Sequence, residues 1–395
     1  MGALEGIRVL DLAILVQGPQ AAAMLHDLGA SVIKVELPGV GDLGRYLRTS
    51  PDQTASGFFE GCNRGKRSVT LDLRRPGGVR AILRLVEQAD VLIHNFVPGT
   101  MEAWGLSYEV LAERNPRLVY ATGSTFGPVG PDATREGADT LGQAAGGLMS
   151  TTGCDGEAPT AVGAVIADHI GSQNMVTGIL AALLHRERSG RGQRVDVSLL
   201  GGQIWAQCSE YSHYLMHGQV PGRSNRGHPL IKGLLRVVPT ADGWMQLVGV
   251  PPHLWPAFAR AIDREDLVDD PRFNVLLPSP ENLAELCRLA DEIFPTRTTA
   301  EWCERLAAAG QRFAPVRDYA EVAADPGAFV NGYLAEVDHP VRGRTVVVGS
   351  PIRLSDTPTV PGVVAPELGQ HTEEVLLEAG FGWDEIEQLR ADGAW

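Results

Sequence analysis

Asp168 is the residue of this sequence whose position most directly suggests chemistry. It stands where a turn of small residues gives way to a long helical pattern, and the four residues before it, 164–167, are all apolar. At a helix start, free backbone N–H groups and the positive end of the helix dipole favour a carboxylate. Such an aspartate can cap its own helix, or it can serve as an anionic nucleophile. Taken alone, the residues leave both interpretations open.

Positive charge is concentrated in one stretch, although the chain of 395 residues carries a formal net charge of −14. That overall balance disfavours nucleic-acid binding, which needs a basic face. The stretch reads Asn-Arg-Gly-Lys-Arg over 63–67 and is followed by Arg74 and Arg75. It can be a solvated loop, or it can hold an anionic ligand.

The sequence predicts no metal site, no disulfide framework and no membrane segment. The five cysteines form no CxxC pair, and the histidines lack metal-ligand spacing, which favours a reducing compartment and argues against zinc. The first ten residues lack the features of a signal peptide. The longest apolar run, 175–184, is too short to span a bilayer. We therefore expect a cytoplasmic protein.

Strand and helix patterns alternate through the first half of the chain, which predicts an α/β fold with a doubly wound parallel sheet. Strands are predicted over 7–13, 31–36, 68–73, 91–96, 118–122 and 194–199, and helices over 20–29, 108–114, 139–149 and 168–188, with Pro76 opening a further helix. The GxGxxG fingerprint of dinucleotide-binding folds is absent after the first strand, where 15–19 read Leu-Val-Gln-Gly-Pro. This absence disfavours an NAD(P) dehydrogenase.

The regular alternation of strand and helix patterns ends after residue 200, so we expect two domains. Residues 1–200 form a large Rossmann-like domain, 201–224 a linker, and 225–330 a smaller α+β domain. Residues 331–395 form a connector and a C-terminal segment. A segment of that size is marginal for a core of its own, and we expect it to return to the large domain.

Several segments, in their order along the chain, match one known family. They are 4–18, 27–36, 63–68, 90–99, 115–120, 146–153, 164–200, 349–352 and 368–376. Over nearly its whole length the chain resembles the class III coenzyme A transferases (CaiB/BaiF). This group includes formyl-CoA transferase, carnitine CoA-transferase and α-methylacyl-CoA racemase.

The resemblance implies a fold, an assembly and a reaction. The large domain is built from both chain ends, and two subunits interlock as a ring-like homodimer. Asp168 would attack an acyl-CoA thioester to form an aspartyl–acyl anhydride and then an aspartyl-CoA thioester, from which a small carboxylic acid takes the CoA (EC 2.8.3). CoA and acyl-CoA are substrates in this scheme, and no cofactor is permanently bound.

The resemblance also implies binding residues. It brings CoA near Val16, Gln17, Leu71, Arg74, Asn95 and Phe96. Several positions that are often basic in the family are not basic here, namely Leu37, Val97, Ala103 and Glu136. The phosphates would then rely on Arg64, Lys66, Arg74 or Arg45. On the substrate side we consider His228, Gly249 as a backbone donor for an oxyanion, and Asp139, which can also simply cap the helix that follows it.

Two alternatives to a transferase remain. A racemase of the same fold would need a histidine where Ala138 stands and a glutamate near Pro251, and both are missing. A non-catalytic CoA-binding protein would bind CoA without a covalent intermediate.

The glycine-rich run that closes over the site in formyl-CoA transferase is absent, and 249–252 stands in its place. This difference disfavours an oxalate/formate substrate pair.

Overall fold

The computed structural model describes residues 2–51, 56–275, 277–340 and 342–395, and these divide into two compact units. The first unit comprises residues up to 146 together with 163–206 and 325–395, and the second comprises 147–162 and 207–324. These borders differ from the predicted ones. Residues 147–162 belong to the second unit, and most of the predicted linker 201–224 is helical.

The strands and helices are numbered in chain order. The strands are β1 Arg8–Asp11, β2 Ser31–Glu36, β3 Arg67–Thr70, β4 Val91–His94, β5 Val119–Ser124, β6 Arg194–Ser198, β7 Arg236–Pro239, β8 Trp244–Leu247, β9 Phe313–Pro315, β10 Leu334–His339 and β11 Gly343–Val348. The helices are α1 Gln17–Asp27, α2 Gly57–Asn63, α3 Pro76–Val86, α4 Thr100–Ala103, α5 Tyr108–Arg114, α6 Asp139–Ala145, α7 Leu148–Thr151, α8 Ile166–Ser189, α9 Leu199–Ala206, α10 Cys208–His217, α11 Trp255–Ala261, α12 Pro280–Ile293, α13 Thr299–Ala308, α14 Tyr319–Ala323, α15 Pro326–Val330, α16 Thr372–Glu378 and α17 Trp383–Ala391.

Six parallel strands form the sheet of the first unit, in the order β3-β2-β1-β4-β5-β6. This is the strand order of the Rossmann fold, so the predicted α/β class with a doubly wound sheet is confirmed. The order reverses between β1 and β4. In open sheets of this kind, ligands bind outside the carboxyl ends of the strands at that switch point.

The central strands are buried on both faces, because helices cover both sides of a parallel sheet. Leu10 and Leu92 face a core that α3, α5, α16 and α17 complete, whereas Val9, Val91 and Ile93 face a core shared with α1 and α8. This arrangement explains why the strand sequences are nearly continuous runs of apolar residues. It also fixes α8, and with it Asp168, against the sheet.

The C-terminal segment packs on the first unit. The backbone N–H of His371 donates to the carbonyl of Ser68 at 2.9 Å, and the Thr372 hydroxyl accepts from the N–H of Thr70 at 3.1 Å. Apolar residues of α16 and α17 are buried in the same core as Leu10. Residues 372–395 thus help to close one face of the sheet.

The second unit has its own core. Three antiparallel strands in the order β7-β8-β9 pack with α11, α12 and α13 around buried aromatic side chains, including Trp255 and Trp302. The indole N–H of Trp255 donates to Leu267 O at 2.6 Å, and that of Trp302 donates to Phe294 O at 2.7 Å. These bonds satisfy the polar edge of each buried ring.

Two predicted elements differ in their borders for physical reasons. The helix predicted over 20–29 begins earlier, because residues 17–19 form the first turn of α1, where proline is tolerated. The predicted strand 68–73 ends at Thr70, since the carboxylate of Asp72 accepts from the N–H of Arg74 at 3.1 Å and bends the chain. Within the described residues, none of the helices combines the length and apolarity needed to cross a bilayer.

Candidate active site

Asp168 is the third residue of α8, inside the first helical turn. The interpretation of Asp168 as the N-cap of its helix is wrong, because the N-cap is Val165, whose side chain cannot cap. The Asp168 side chain is half-buried. Among the described residues, none donates a hydrogen bond to its carboxylate. The carboxylate is therefore positioned by its helix and left free to react.

Asp139 caps α8 from outside that helix. Its Oδ1 accepts from the backbone N–H of Ala167 at 2.7 Å and from that of Asp168 at 3.2 Å. The expectation that Asp139 caps the helix following it is wrong, since Ala138 occupies the N-cap of α6. Asp139 thus satisfies the two helix amides nearest to the candidate nucleophile, a role that Val165 cannot fill.

Gln143 fixes the second oxygen of the Asp139 carboxylate. Its Nε2 donates to Asp139 Oδ2 at 2.6 Å, and it lies 3.3 Å from Ala164 O, just before α8. Both Asp139 and Gln143 are buried. Sequence reasoning missed Gln143, although an aspartate and a glutamine four residues apart share one helix face.

Burial raises the pKa of Asp168 to about 7, and the negative charge of Asp139 adds to the rise. A carboxylate without hydrogen-bond donors loses hydration on burial and gains little in return. Raised basicity makes the ionised form a stronger nucleophile, but fewer molecules are ionised at neutral pH. Near pH 7 the group is therefore poised between its two protonation states.

Gln17, at the start of α1, packs against α8 in a slot made by two glycines. A Cβ on Gly171 would lie 2.7 Å from Gln17 Nε2, and a Cβ on Gly123 would collide with Gln17 Oε1. The Gln17 side chain is buried, and its Nε2 has no hydrogen-bond partner among the described residues. A buried amide donor without a partner costs free energy, so the Gln17 Nε2 is available as a donor if a bound group comes within reach.

Ser172 joins Gln17 to the first turn of α8. Its hydroxyl oxygen lies 2.7 Å from Gln17 O and 2.8 Å from Asp168 O, within hydrogen-bond distance of both carbonyls. The neighbouring Val16 is buried. Sequence reasoning missed Ser172, and its spacing of four residues from Asp168 was the available signal. The Gln17 turn and the Asp168 turn therefore form one connected structure.

His169, adjacent to Asp168, has a partner of its own. Its Nδ1 lies 2.6 Å from Gln20 Oε1 on α1, and burial lowers the pKa of its ring. This contact ties α8 to α1. Within the described residues, no group of three or more His, Cys, Asp or Glu side chains could hold a metal ion.

A cavity of about 260 Å³ opens at the carboxyl ends of β1 to β4. Among the predicted CoA contacts, Leu71, Arg74 and Phe96 line it, together with Trp104 and other mainly apolar groups. The Phe96 and Trp104 rings meet edge to face, with centroids 5.2 Å apart. Arg74 is exposed and forms a bidentate pair with Asp72 at 2.8 and 2.9 Å.

Asn95 holds the loop after β1 at the switch point of the sheet. Its Oδ1 accepts from Ile14 N and its Nδ2 donates to Ile14 O, both at 2.8 Å. The next residue, Leu15, has a φ of 66°, which a leucine adopts only at a cost. The Asn95 side chain thus stabilises the backbone that leads into Val16 and Gln17.

Two of the predicted phosphate contacts, Arg64 and Lys66, point inward. Arg64 Nη2 lies 2.6 Å from Asp27, and Lys66 Nζ lies 2.7 Å from Asp11. Both side chains are buried, and burial lowers the pKa of Lys66 to about 8. Charges sequestered in this way join elements of the fold. The phosphate role predicted for Arg64 and Lys66 stays a prediction, which these buried ion pairs disfavour.

The remaining predicted residues lie in the second unit. His228 Nε2 is 3.0 Å from a carboxylate oxygen of Glu210, and its Nδ1 accepts from the N–H groups of Leu230 and Ile231. Gly249 has a φ of 25° and lines a separate, largely apolar cavity of about 290 Å³. In this geometry His228 stabilises the loop that follows it.

The model of CoA-transferase family III matches residues 4–372. The chain belongs to CoA-transferase family III. This confirms the family that the sequence segments indicated.

Several family III relatives are similar over nearly their whole length. A succinyl-CoA:mesaconate CoA-transferase of Haloarcula hispanica is 35% identical over 392 residues, covering 97% of this chain and 98% of that protein. A formyl-CoA:oxalate CoA-transferase of Streptomyces coelicolor is 35% identical over 408 residues, covering 99% of this chain and 98% of that protein. The crystal structure of a CAIB/BAIF family protein from Brucella suis superposes with a TM-score of 0.85 at 32% identity, covering 96% of this chain and 100% of that protein. These relatives support an enzyme that transfers CoA.

Proposed function

We propose that this family III enzyme transfers CoA from an acyl-CoA donor to a carboxylic acid acceptor, with Asp168 as the covalent nucleophile. The observation that carries the proposal is the state of Asp168. Its half-buried carboxylate accepts no hydrogen bond from any residue that the structure describes, its pKa is raised to about 7, and Asp139 holds the helix start in place. A carboxylate kept in this state has a use in covalent catalysis.

The first half of the reaction loads CoA onto the enzyme. An oxygen of Asp168 attacks the thioester carbonyl carbon and the C–S bond breaks. CoA departs as its thiolate, and Asp168 is then joined to the acyl group in a mixed aspartyl–acyl anhydride. The thiolate then attacks Cγ of Asp168. The bond from Cγ to the bridging oxygen breaks, the donor acid leaves as its carboxylate, and Asp168 holds CoA as a thioester.

The second half delivers CoA to the acceptor. The acceptor carboxylate attacks Cγ of Asp168 and expels the thiolate, which gives a second anhydride. The thiolate attacks the acyl carbon of the acceptor, the new acyl-CoA forms, and Asp168 is released as a carboxylate. No proton is transferred in the cycle, so a general base such as His169 is not required.

Gln17 supports this scheme as a donor to the developing oxyanion. Its buried Nε2 has no partner among the described residues and lies against Gly171, one helical turn after Asp168. A preorganised N–H group directed at developing negative charge is a common source of rate enhancement. We propose that the thioester oxygen accepts from Gln17 as the anhydride forms.

The CoA nucleotide is proposed to occupy the cavity at the ends of β1 to β4. Its apolar walls, with Leu71, Phe96 and Trp104, suit a base, and Arg74 at its rim suits a phosphate. Asn95 acts on the same region through the Ile14 backbone. We infer that Val16, Leu71, Arg74 and Phe96 lie near CoA and that Asn95 shapes their loop.

We also propose that the enzyme is an interlocked homodimer. Large apolar side chains are exposed on α10, where Leu215 and Met216 are each 76% exposed, and near β10 and β11, where Val330 and Val348 are 80% and 66% exposed. Exposed apolar groups in such numbers are typical of association surfaces. Sedimentation equilibrium of the full chain tests the assembly.

A transfer assay tests the function. The enzyme is incubated with succinyl-CoA and a panel of mono- and dicarboxylic acids, and new acyl-CoA products are separated by chromatography. We expect transfer to at least one acid, lost in Asp168→Asn. The alternative racemase would instead introduce solvent deuterium at the α-carbon of a 2-methylacyl-CoA. Alanine at position 138 supplies no second base for that exchange.

A further inference from the structure

A groove in the first unit, along α3, is lined by guanidinium groups. It has a volume of about 800 Å³. Its described lining contains one carboxylate, that of Glu87, and five arginines, namely Arg74, Arg75, Arg80, Arg84 and Arg114. This is a marked local concentration of positive charge in a chain whose formal net charge is −14.

Carboxylates compensate this positive charge only in part. The ion pairs join Arg74 and Arg75 to Asp72, Arg84 to Glu385 and Arg114 to Glu87, at 2.8 to 3.4 Å. Five cations thus meet three carboxylates, and two positive charges are left over. Arg80 is exposed, and among the described residues no carboxylate lies within ion-pair distance of it.

The groove is continuous with the proposed nucleotide cavity. Leu73, Arg74 and Trp104 line both. A ligand whose base occupies the apolar cavity at the strand ends can therefore extend a substituent of its ribose into the groove. The wall of the groove at Ala103 is small, so the space in front of α3 remains open.

We propose that this groove binds the ribose 3′-phosphate of CoA and that Arg80 is its principal free contact. The proposal rests on the CoA-transferase function proposed above. A phosphate monoester carries about −1.5 to −2 charge at neutral pH, which matches the two uncompensated positive charges. A guanidinium fork suits phosphate oxygens, and Arg80 gives up no internal ion pair to bind them.

Ala103 brings no charge to the groove, whose cations come from α3 and the residues next to it. Arg80 is thus a specificity-determining residue that distinguishes CoA from its form lacking the 3′-phosphate. The predicted phosphate contacts Arg64 and Lys66 are buried in ion pairs and do not compete for this role.

Calorimetric titration of the full-length enzyme with CoA and with 3′-dephospho-CoA tests the proposal without turnover. We expect wild type to bind CoA about tenfold more tightly than 3′-dephospho-CoA at low salt. Arg80→Ala should reduce this ratio to about twofold, mainly by weakening CoA, and Arg80→Lys should restore part of it. Arg288→Ala, which removes an exposed helical arginine of the second unit, is the matched control and should keep the wild-type ratio.

Inorganic phosphate serves as the competitor that identifies the bound group. In wild type it should weaken CoA binding more than 3′-dephospho-CoA binding, and this difference should vanish in Arg80→Ala. Equal wild-type affinity for the two ligands would overturn the proposal, as would an equal loss for both in Arg80→Ala. Because binding is measured directly, an enzyme that discriminates between the ligands but transfers no CoA would refute the proposed function and leave this inference standing.

Discussion

The carboxylate of Asp139 accepts a hydrogen bond from the backbone N–H of Asp168 at 3.2 Å, and its negative charge helps to raise the pKa of the Asp168 side chain. One group thus fixes the position of the candidate nucleophile and tunes its basicity. The contact spans 29 residues of sequence and joins the start of α6 to the start of α8.

The pH dependence of transfer should report this pair. Wild-type kcat/KM should rise with pH through about 7, because attack requires ionised Asp168. Asp139→Asn keeps an acceptor oxygen for the helix amides but removes the charge that raises the Asp168 pKa. Its acidic limb should therefore move to lower pH by about one unit. An unchanged acidic limb in steady-state pH profiles would contradict the assigned coupling.

Removing the cap is expected to cost stability as well as activity. Asp139→Ala leaves the N–H groups of Ala167 and Asp168 without their acceptor and should lower the free energy of unfolding by about 1 kcal/mol or more. Its kcat should fall further than that of Asp139→Asn, because the helix start loses its anchor. Urea unfolding and steady-state kinetics compare Asp139→Ala with Asp139→Asn. Equal kcat values in the two variants would argue against a role of Asp139 in positioning Asp168.

Asp168→Asn should become more stable relative to wild type as the pH rises. The Asp168 pKa of about 7 exceeds the ordinary value of 3.8 for an aspartate, so the folded state binds its proton more tightly than the unfolded state does. The stabilisation is therefore present below about pH 4 and lost as the pH rises through 7. We expect the variant to gain on the order of 1 to 2 kcal/mol between pH 4 and 8, allowing for partial exposure. A pH-independent difference in urea unfolding would contradict the raised pKa.

Filling the slot beside Gln17 should impair catalysis. A Cβ in Gly171→Ala would lie 2.7 Å from Gln17 Nε2 and displace the side chain that we propose donates to the oxyanion. We expect kcat to fall by about 100-fold, the usual effect of losing one such donor. Gly61→Ala on α2 is the matched control, since nothing lies within 4 Å of its added Cβ. Full activity of Gly171→Ala, with normal folding, would remove Gln17 from the mechanism.

Removing the two hydrogen bonds between Asn95 and Ile14 should weaken CoA binding. Asn95→Ala loses both hydrogen bonds to Ile14, next to the strained Leu15, and should raise the KM for acyl-CoA several-fold while destabilising the fold by about 1 to 3 kcal/mol. Asn95→Asp keeps an acceptor for Ile14 N but loses the donor to Ile14 O. An intermediate KM in Asn95→Asp would support a role for both hydrogen bonds in shaping the CoA site. A wild-type KM in Asn95→Ala would exclude that role.

The sequence predicted much of the first unit, because its periodicity is local. Apolar runs marked the strands, and Pro76 marked a helix start. The position of Asp168 at the beginning of a long helix was visible for the same reason. Such signals depend on neighbours within a few residues and need no knowledge of tertiary contacts.

The contacts around the site could not be predicted in the same way, because they join distant segments. The basic run 63–67 was expected to face solvent or an anion, but its Arg64 and Lys66 pair with Asp27 and Asp11 inside the fold. Gln17 is held by glycines from β5 and α8. A single sequence shows the charges and the glycines but not the pairs they form.

Mass spectrometry of the peptide that contains Asp168 tests the central claim most directly. Wild-type enzyme is incubated with an acyl-CoA that the transfer assay has shown to be a donor, quenched in acid and digested. We expect CoA attached to that peptide as a thioester that hydroxylamine removes, and no such adduct in Asp168→Asn. Continued CoA transfer without any adduct on this peptide, or full activity of Asp168→Asn, would contradict Asp168 as the nucleophile.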